Sequence, residues 1–385
     1  MNVFLIAGEA SGDRLGAALM AGLKTQTDVQ FSGVGGPLMQ GQGLSSLFPM
    51  EELSVMGLVE ILPKYFHLKR RIRQTAEAAI AAKPDVIISI DSPDFCLRVA
   101  KLVKAASDIR TVHYVAPSVW AWRPNRAAKM ASVIDHVLAL LPFEPPLMKA
   151  AGMACDFVGH PVVNEPQASP EDIAAFRTRH GLSDSPVLLV LPGSRKGEVA
   201  RLGPIFGEAI AQVCRARPDL RLVVPAVHAR EAQVRALVAG WPGAPVVVAP
   251  GDDAAANKID KAAAFGVAKG ALAASGTVSL ELAAAGTPMV IAYDVNLITR
   301  EIMRRMLRID TLTLVNLVSE TRVVPEFLGE KCRADLVAPG VLQMLDAPDV
   351  QLNAMQLTMD RLGRGGEDPG LRAAKAVLAR MQIAG

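Results

Sequence analysis

The chain has 385 residues, 51% of them hydrophobic and 4% aromatic, with a formal net charge of +3. That length suits two domains with sizeable cores, and the charge is too small to argue for a nucleic-acid partner. The four cysteines (Cys96, Cys155, Cys214, Cys332) are scattered without CxxC or Cys/His spacing, so reduced, mostly buried thiols in a cytoplasmic protein are expected.

The first apolar run, NVFLIA, lacks a basic n-region before it and a cleavage site after it, so no signal peptide is expected. No charge-free apolar stretch reaches the ~20 residues that span a bilayer. AGEASGD follows, in the position of a phosphate-binding turn between a first strand and a first helix. It carries two carboxylates, Glu9 and Asp13, which would repel a phosphate.

Next comes LSVMGLVEILPKYFHLKRRIRQ. Its apolar residues Val55, Met56, Leu58, Val59, Leu62 and Phe66 precede the cations Lys69, Arg70, Arg71 and Arg73. The pattern fits a core helix with a solvated basic end, or an apolar and cationic contact with anionic lipid. DVIISI then reads as a buried strand ending in Asp91-Ser92-Pro93-Asp94, where Pro93 fixes the turn. Carboxylates at a strand's carboxyl end suit a general base, with a cap or turn role as the alternative, and Asp94 is the more exposed of the two. HYVAPSVWAWRPNR clusters Trp120, Trp122, Arg123 and Arg126 near the next strand end, for sugar stacking or as a buried anchor.

Short β-branched runs, each followed by a helical pattern, continue on both sides of PVVNEPQASP, the Pro-rich polar linker. They predict α/β architecture: two doubly wound, Rossmann-like domains of parallel sheet facing across a cleft. The expected boundaries are 1–165 and 166–366, with a terminal helix at about 367–385 that a glycine-rich segment frees to pack elsewhere.

In the second half, VLLVLPGSRKGEV is a strand ending at Gly193, Ser194 and Arg195. Glycine allows close backbone approach, and the serine hydroxyl and guanidinium suit phosphate oxygens, although a plain strand–helix turn has the same look. ALAASGTVSLELAAAGTP places Ser275, Gly276 and Thr277 at a helix start, where free N–H groups suit a diphosphate. Glu281, one turn in, could accept ribose hydroxyls; simple helix capping is the alternative. GDD at Gly251–Asp253 reads as a polar loop, and no DxD precedes these elements, so neither a metal nor another cofactor is expected.

These segments, with GVGGPLM, VGHPVV and VVPEFL, follow the order and approximate spacing of the lipid-A-disaccharide synthases, which the chain resembles over nearly its whole length. The resemblance implies a GT-B glycosyltransferase fold. It also implies a location on the cytoplasmic face of the Gram-negative inner membrane, as a peripheral protein on an anionic surface, and it leaves room for a homodimer. The implied reaction transfers 2,3-diacylglucosamine from UDP-2,3-diacylglucosamine to 2,3-diacylglucosamine 1-phosphate (lipid X), with inversion. Asp94 matches the family's base, Glu281 its ribose-binding glutamate, and Asn316 an asparagine near the active site. With the nucleotide assigned to the second domain, Glu9 and Asp13 are expected to face acceptor-sugar hydroxyls, with a simple cap of the helix that begins there as the alternative for Asp13. The acylated substrates also favour the membrane reading of the 55–73 stretch.

Two departures from the family pattern stand out. Leu314-Val315-Asn316 replaces Leu-Pro-Asn, and Asp294 stands where a basic residue is usual. Arg300, Arg304 and Arg308 recur on one helical face as substitutes for that cation, or as a solvated face. A UDP-sugar epimerase on the same fold is the rival enzyme, and a non-catalytic lipid- or nucleotide-binding module is the other.

Overall fold

The computed structural model describes the chain apart from residues 54–57, 123–124, 297–299, 302–304, 308 and 383–385, and apart from the side chains of 58–64 and 382. The chain divides into two units: Met1–Pro161 with Gly365–Gly385, and Val162–Arg364.

The first unit alternates strand and helix. It runs β1 (Asn2–Ala7), α1 (Ala10–Gln26), β2 (Gln30–Val34), α2 (Pro37–Gly41), β3 (Ser45–Ser46), α3 (Leu58–Ala82), β4 (Val86–Ile90) and α4 (Pro93–Ala106). It continues with β5 (Arg110–Tyr114), α5 (Asn125–Ala131), β6 (His136–Ala139), α6 (Glu144–Ala150) and β7 (Ala154–Phe157). The strands form one parallel sheet in the order β3-β2-β1-β4-β5-β6-β7. Successive side chains of β1 face opposite ways. Val3, Leu5 and Ala7 join the core formed with α1, while Phe4 and Ile6 join Ile72, Ala76, Cys96 and Val99 of α3 and α4. Both faces are therefore covered, which is why the strands read as continuous apolar runs.

The second unit contains α7 (Pro170–Arg179), β8 (Val187–Leu191), α8 (Lys196–Ala216), β9 (Arg221–Pro225), α9 (Glu231–Val238), β10 (Val246–Val248), α10 (Ala254–Gly266) and β11 (Gly270–Ala273). It ends with α11 (Val278–Ala284), β12 (Met289–Tyr293), α12 (Leu314–Ser319), β13 (Glu326–Leu328), α13 (Ala334–Asp346) and α14 (Asp349–Leu362). Its parallel sheet has the order β10-β9-β8-β11-β12-β13. The β-branched runs did not include β11, whose sequence is GALA. Its place between β8 and β12 overrides the weak strand propensity of alanine and glycine.

The last helix, α15 (Pro369–Gln382), returns to the first unit and packs along α1. The approach is close: a β-carbon on Gly22 would lie 2.8 Å from the Gly370 carbonyl oxygen, and one on Gly370 2.7 Å from the backbone carbon of Ala18. Arg380 closes the contact with hydrogen bonds of 3.0 and 2.9 Å to the Asp156 carboxylate.

In each sheet the strand order reverses direction once, between β1 and β4 in the first unit and between β8 and β11 in the second. Ligands of open α/β sheets bind at the carboxyl ends of the strands at such switch points.

Candidate functional site

At the first switch point, the loop after β1 meets the turn after β4. Gly8 leaves the space for this, since a β-carbon there would lie 2.7 Å from Ser92 Oγ. Glu9 stands at the head of α1, and Asp91, Ser92 and Asp94 follow β4. Asp91 (φ 52°) and Ser92 (φ 43°) both lie in the left-handed region, and at the end of the neighbouring β5 so does Val115 (φ 85°), a β-branched residue. Three such residues cost on the order of 1–3 kcal/mol each, and strain of this kind collects at functional sites.

The orientation of Asp94 follows from α4. Cys96, Val99, Ala100 and Val103 form its buried stripe, so a residue two positions before Cys96 points outward. The Asp94 side chain is 96% exposed, and its carboxylate accepts a 3.4 Å contact from the Arg126 guanidinium.

Trp120 and Trp122 divide the roles offered to them. Trp120 is partly buried, packed edge-on to Phe143 with centroids 5.4 Å apart, and its indole N–H points at Glu144 Oε1 at 3.4 Å. It is an anchor, whereas Trp122 is 39% exposed. Glu144 is buried and also accepts the Leu141 N–H at 3.0 Å, and burial pushes its carboxyl up to about 7.

Asp13 overturns its expected role. It is only 3% exposed, and its carboxylate accepts the backbone N–H groups of Gly36, Leu38 and Met39, each at 3.0 Å. These are unpaired donors at the start of α2, so Asp13 ties AGEASGD to GVGGPLM and faces no sugar.

At the second switch point, Pro192–Arg195 follows β8 and Ser275–Thr277 follows β11. Gly193 has φ 115° and Gly276 φ 154°, conformations that favour glycine. Two of the loop N–H groups are already occupied: Ser194 and Arg195 each donate to Glu198 Oε2 at 3.2 Å. The Arg195 side chain remains 61% exposed. Thr277 heads α11 without a side-chain capping bond, so capping does not account for ASGT. Glu281 is 28% exposed and pairs with Lys261 of α10 at 3.0 Å. In GDD, Asp253 caps α10 by accepting from Ala255 and Ala256.

Asn316 is a buried, fully bonded amide. It is 1% exposed, its amide nitrogen donates to Thr311 Oγ1 and the Val324 carbonyl, and its oxygen accepts the Val324 N–H. It fastens the loop before β13 and presents no group at its surface. Val315 is fully buried in the first turn of α12, which accounts for an apolar residue there. Asp294 pairs with Arg300 at 2.7 and 3.2 Å, so this carboxylate holds a cation near the end of β12. Arg304 and Arg308 lie outside the described residues, as does Arg123.

On α3, Phe66 is 81% exposed and Tyr65 45%, and Lys69, Arg70 and Arg73 are also exposed. Arg71 is not part of this face: it binds Glu52 at 2.8 and 2.7 Å and lies 4.3 Å over the Phe48 ring. Val55 and Met56 lie outside the described residues, as do the side chains of Leu58, Val59 and Leu62. Among the described residues, no helix is long and apolar enough to cross a membrane.

The sequence model of the lipid-A-disaccharide synthetase family matches residues 3–374. The chain belongs to the lipid-A-disaccharide synthetase family. It is accordingly an enzyme, a glycosyltransferase of lipid A biosynthesis. It is 66% identical over 383 residues to the lipid-A-disaccharide synthase of Ruegeria pomeroyi, covering 99% of this chain and 96% of the relative. It is 47% identical to that of Rhodospirillum centenum, covering 98% and 94%.

In structure, this synthetase-family chain is similar to an S. aureus MnaA–UDP co-structure, with TM-score 0.65, 12% identity and coverage of 100% and 96%. It is also similar to a Neisseria meningitidis UDP-GlcNAc 2-epimerase bound to UDP-GlcNAc, with TM-score 0.61, 11% identity and full coverage of both chains. At such identities the likeness concerns the GT-B type α/β fold alone.

The site residue that the sequence reading of this synthetase-family chain missed is Glu198. Its signal was present in the spacing: a glutamate in the first turn after PGSR is placed to reach back to the loop's N–H groups.

Proposed function

We propose that the chain transfers the sugar of UDP-2,3-diacylglucosamine to the 6-hydroxyl of 2,3-diacylglucosamine 1-phosphate. The products are the β-1,6-linked disaccharide 1-phosphate and UDP. What supports this beyond family membership is the division of charge between the two switch points. Carboxylates beside a strained turn occupy the first, and an exposed arginine occupies the second.

In this reading Asp94 takes the proton of the acceptor hydroxyl as that oxygen forms its bond to the donor's anomeric carbon. The bond from that carbon to the diphosphate oxygen breaks, its electron pair leaves with UDP, and a single displacement inverts the centre. Arg195 neutralises the charge that grows on the diphosphate, and Glu281 accepts ribose hydroxyls. Arg126 holds the Asp94 carboxylate in place, and Glu9 orients acceptor hydroxyls. Because Arg195 supplies a fixed cation at the leaving group, turnover is expected without a divalent metal ion and should persist in EDTA.

The exposed Phe66 and Tyr65 beside Lys69, Arg70 and Arg73 support docking on an anionic bilayer, where acylated substrates reside. The family resemblance assigns that bilayer as the inner membrane, approached from its cytoplasmic face.

Incubation with the two acylated glucosamine substrates in mixed micelles should release UDP and disaccharide in equal amounts. UDP-N-acetylglucosamine alone should give no epimer. Epimer formation without disaccharide would refute the proposal in favour of the epimerase reading.

A further inference from the structure

The loop that carries Arg195 is built around a carboxylate to which the transfer reaction gives no part. Glu198 Oε2 accepts the Ser194 and Arg195 N–H groups at 3.2 Å, and Oε1 accepts Arg195 Nη1 at 3.1 Å and the Tyr293 hydroxyl at 3.3 Å. A β-carbon on Gly193 would fall 2.7 Å from Glu198 Cβ and 2.8 Å from its Oε2, so the glycine supplies space as well as φ 115°. The Glu198 side chain is 16% exposed and that of Arg195 is 61% exposed.

This arrangement has two consequences. The Ser194 and Arg195 N–H groups are taken, so these two do not cradle a phosphate as the backbone of a glycine-rich phosphate loop does. A grip on an anion there falls chiefly to side chains, and the Arg195 guanidinium carries the charge. Tyr293 ends β12 and Glu198 follows β8, and β11 lies between those strands, so their bond spans the end of β11 where Ser275–Thr277 sits. Burial, and then the charge of Glu198, holds the Tyr293 hydroxyl above its usual range, so it stays protonated and remains a donor.

We infer that Glu198, braced by Tyr293, is a positioning residue of the nucleotide site: it aims the Arg195 guanidinium at a diphosphate lying on the carboxyl ends of β8 and β11. The inference rests on the nucleotide reading proposed above.

A binding cycle on the full chain tests it, with UDP as the probe and calorimetry as the readout, for Arg195→Ala, Glu198→Ala, Glu198→Gln and Tyr293→Phe, each of the last three alone and combined with Arg195→Ala. Arg195→Ala and Glu198→Ala should each weaken UDP about tenfold, the scale of one charge-assisted hydrogen bond. The double variant should bind within about twofold of Arg195→Ala alone, because Glu198 acts through the arginine. Tyr293→Phe should weaken UDP less, and that loss too should vanish in the Arg195→Ala background. If Glu198→Ala does not fold, Glu198→Gln and Tyr293→Phe complete the same cycle.

Additive losses would overturn the inference, since they mean Glu198 acts on the fold rather than through Arg195. Unchanged UDP affinity in Glu198→Ala, with a loss in Arg195→Ala, would also overturn it and leave the nucleotide reading standing. No loss in Arg195→Ala would overturn the nucleotide reading of this loop, and the inference with it.

Discussion

Asp13 and Gly36 share one small space: the Gly36 N–H donates to Asp13 Oδ1 at 3.0 Å, and a β-carbon on Gly36 would lie 2.6 Å from Asp13 Oδ2. Two motifs 23 positions apart are thus halves of one structural device. Asp13→Ala would leave three N–H groups at the start of α2 without their acceptor. The expected loss is about 3 kcal/mol, measured by urea unfolding, with UDP affinity unchanged because the residues proposed to hold the nucleotide lie in the other unit.

Asp94→Asn removes the proposed base while keeping its shape and its exposure. Turnover with the acylated pair should fall about a hundredfold or more, the usual share of general-base catalysis, while UDP affinity stays within about twofold. A variant that turns over at the parent rate would remove Asp94 from the chemistry. Glu9→Gln should likewise lower turnover more than UDP affinity.

Glu144 predicts a pH dependence of stability. Burial raises its folded pKa from 4.5 to about 7, so the folded state holds a proton that the unfolded chain releases near pH 4.5. With the folded pKa of an acid raised, stability declines as pH rises from about 4.5 to about 7 and then levels off. The full effect is on the order of 3 kcal/mol. Glu144→Gln should flatten that decline in unfolding free energy measured at a series of pH values, and an identical slope would refute the assignment.

Replacing Lys69, Arg70 and Arg73 with glutamine should weaken binding to vesicles rich in anionic lipid. At about 1 kcal/mol per cation near the surface, the three together correspond to roughly a hundredfold, read by vesicle sedimentation at low salt. Phe66→Ser should add to this. Arg71→Gln should instead lower thermal stability, because that guanidinium is engaged by Glu52 and Phe48. Equal vesicle binding by the triple variant would rule out the α3 surface as the docking face.

The periodicity of apolar residues and the turn chemistry were enough to specify alternating strands and helices, parallel sheets and the strand ends that carry Asp94 and Arg195. Those features are local: burial on both faces writes itself into each strand, and Gly and Pro mark each turn. β11 escaped because its four residues have no side chains that favour a strand, and only its neighbours make it one.

What tertiary structure alone decided is which polar groups near those turns face outward. Asp13, Asn316 and Arg71 have the composition of site or surface residues, yet each is spent on partners distant in the chain or across a loop. Glu198 closes the Arg195 loop because Tyr293 and the Gly193 backbone converge on it. A sequence lists donors and acceptors, but burial makes each of them find a partner, and which partner it finds depends on contacts that only the folded chain creates.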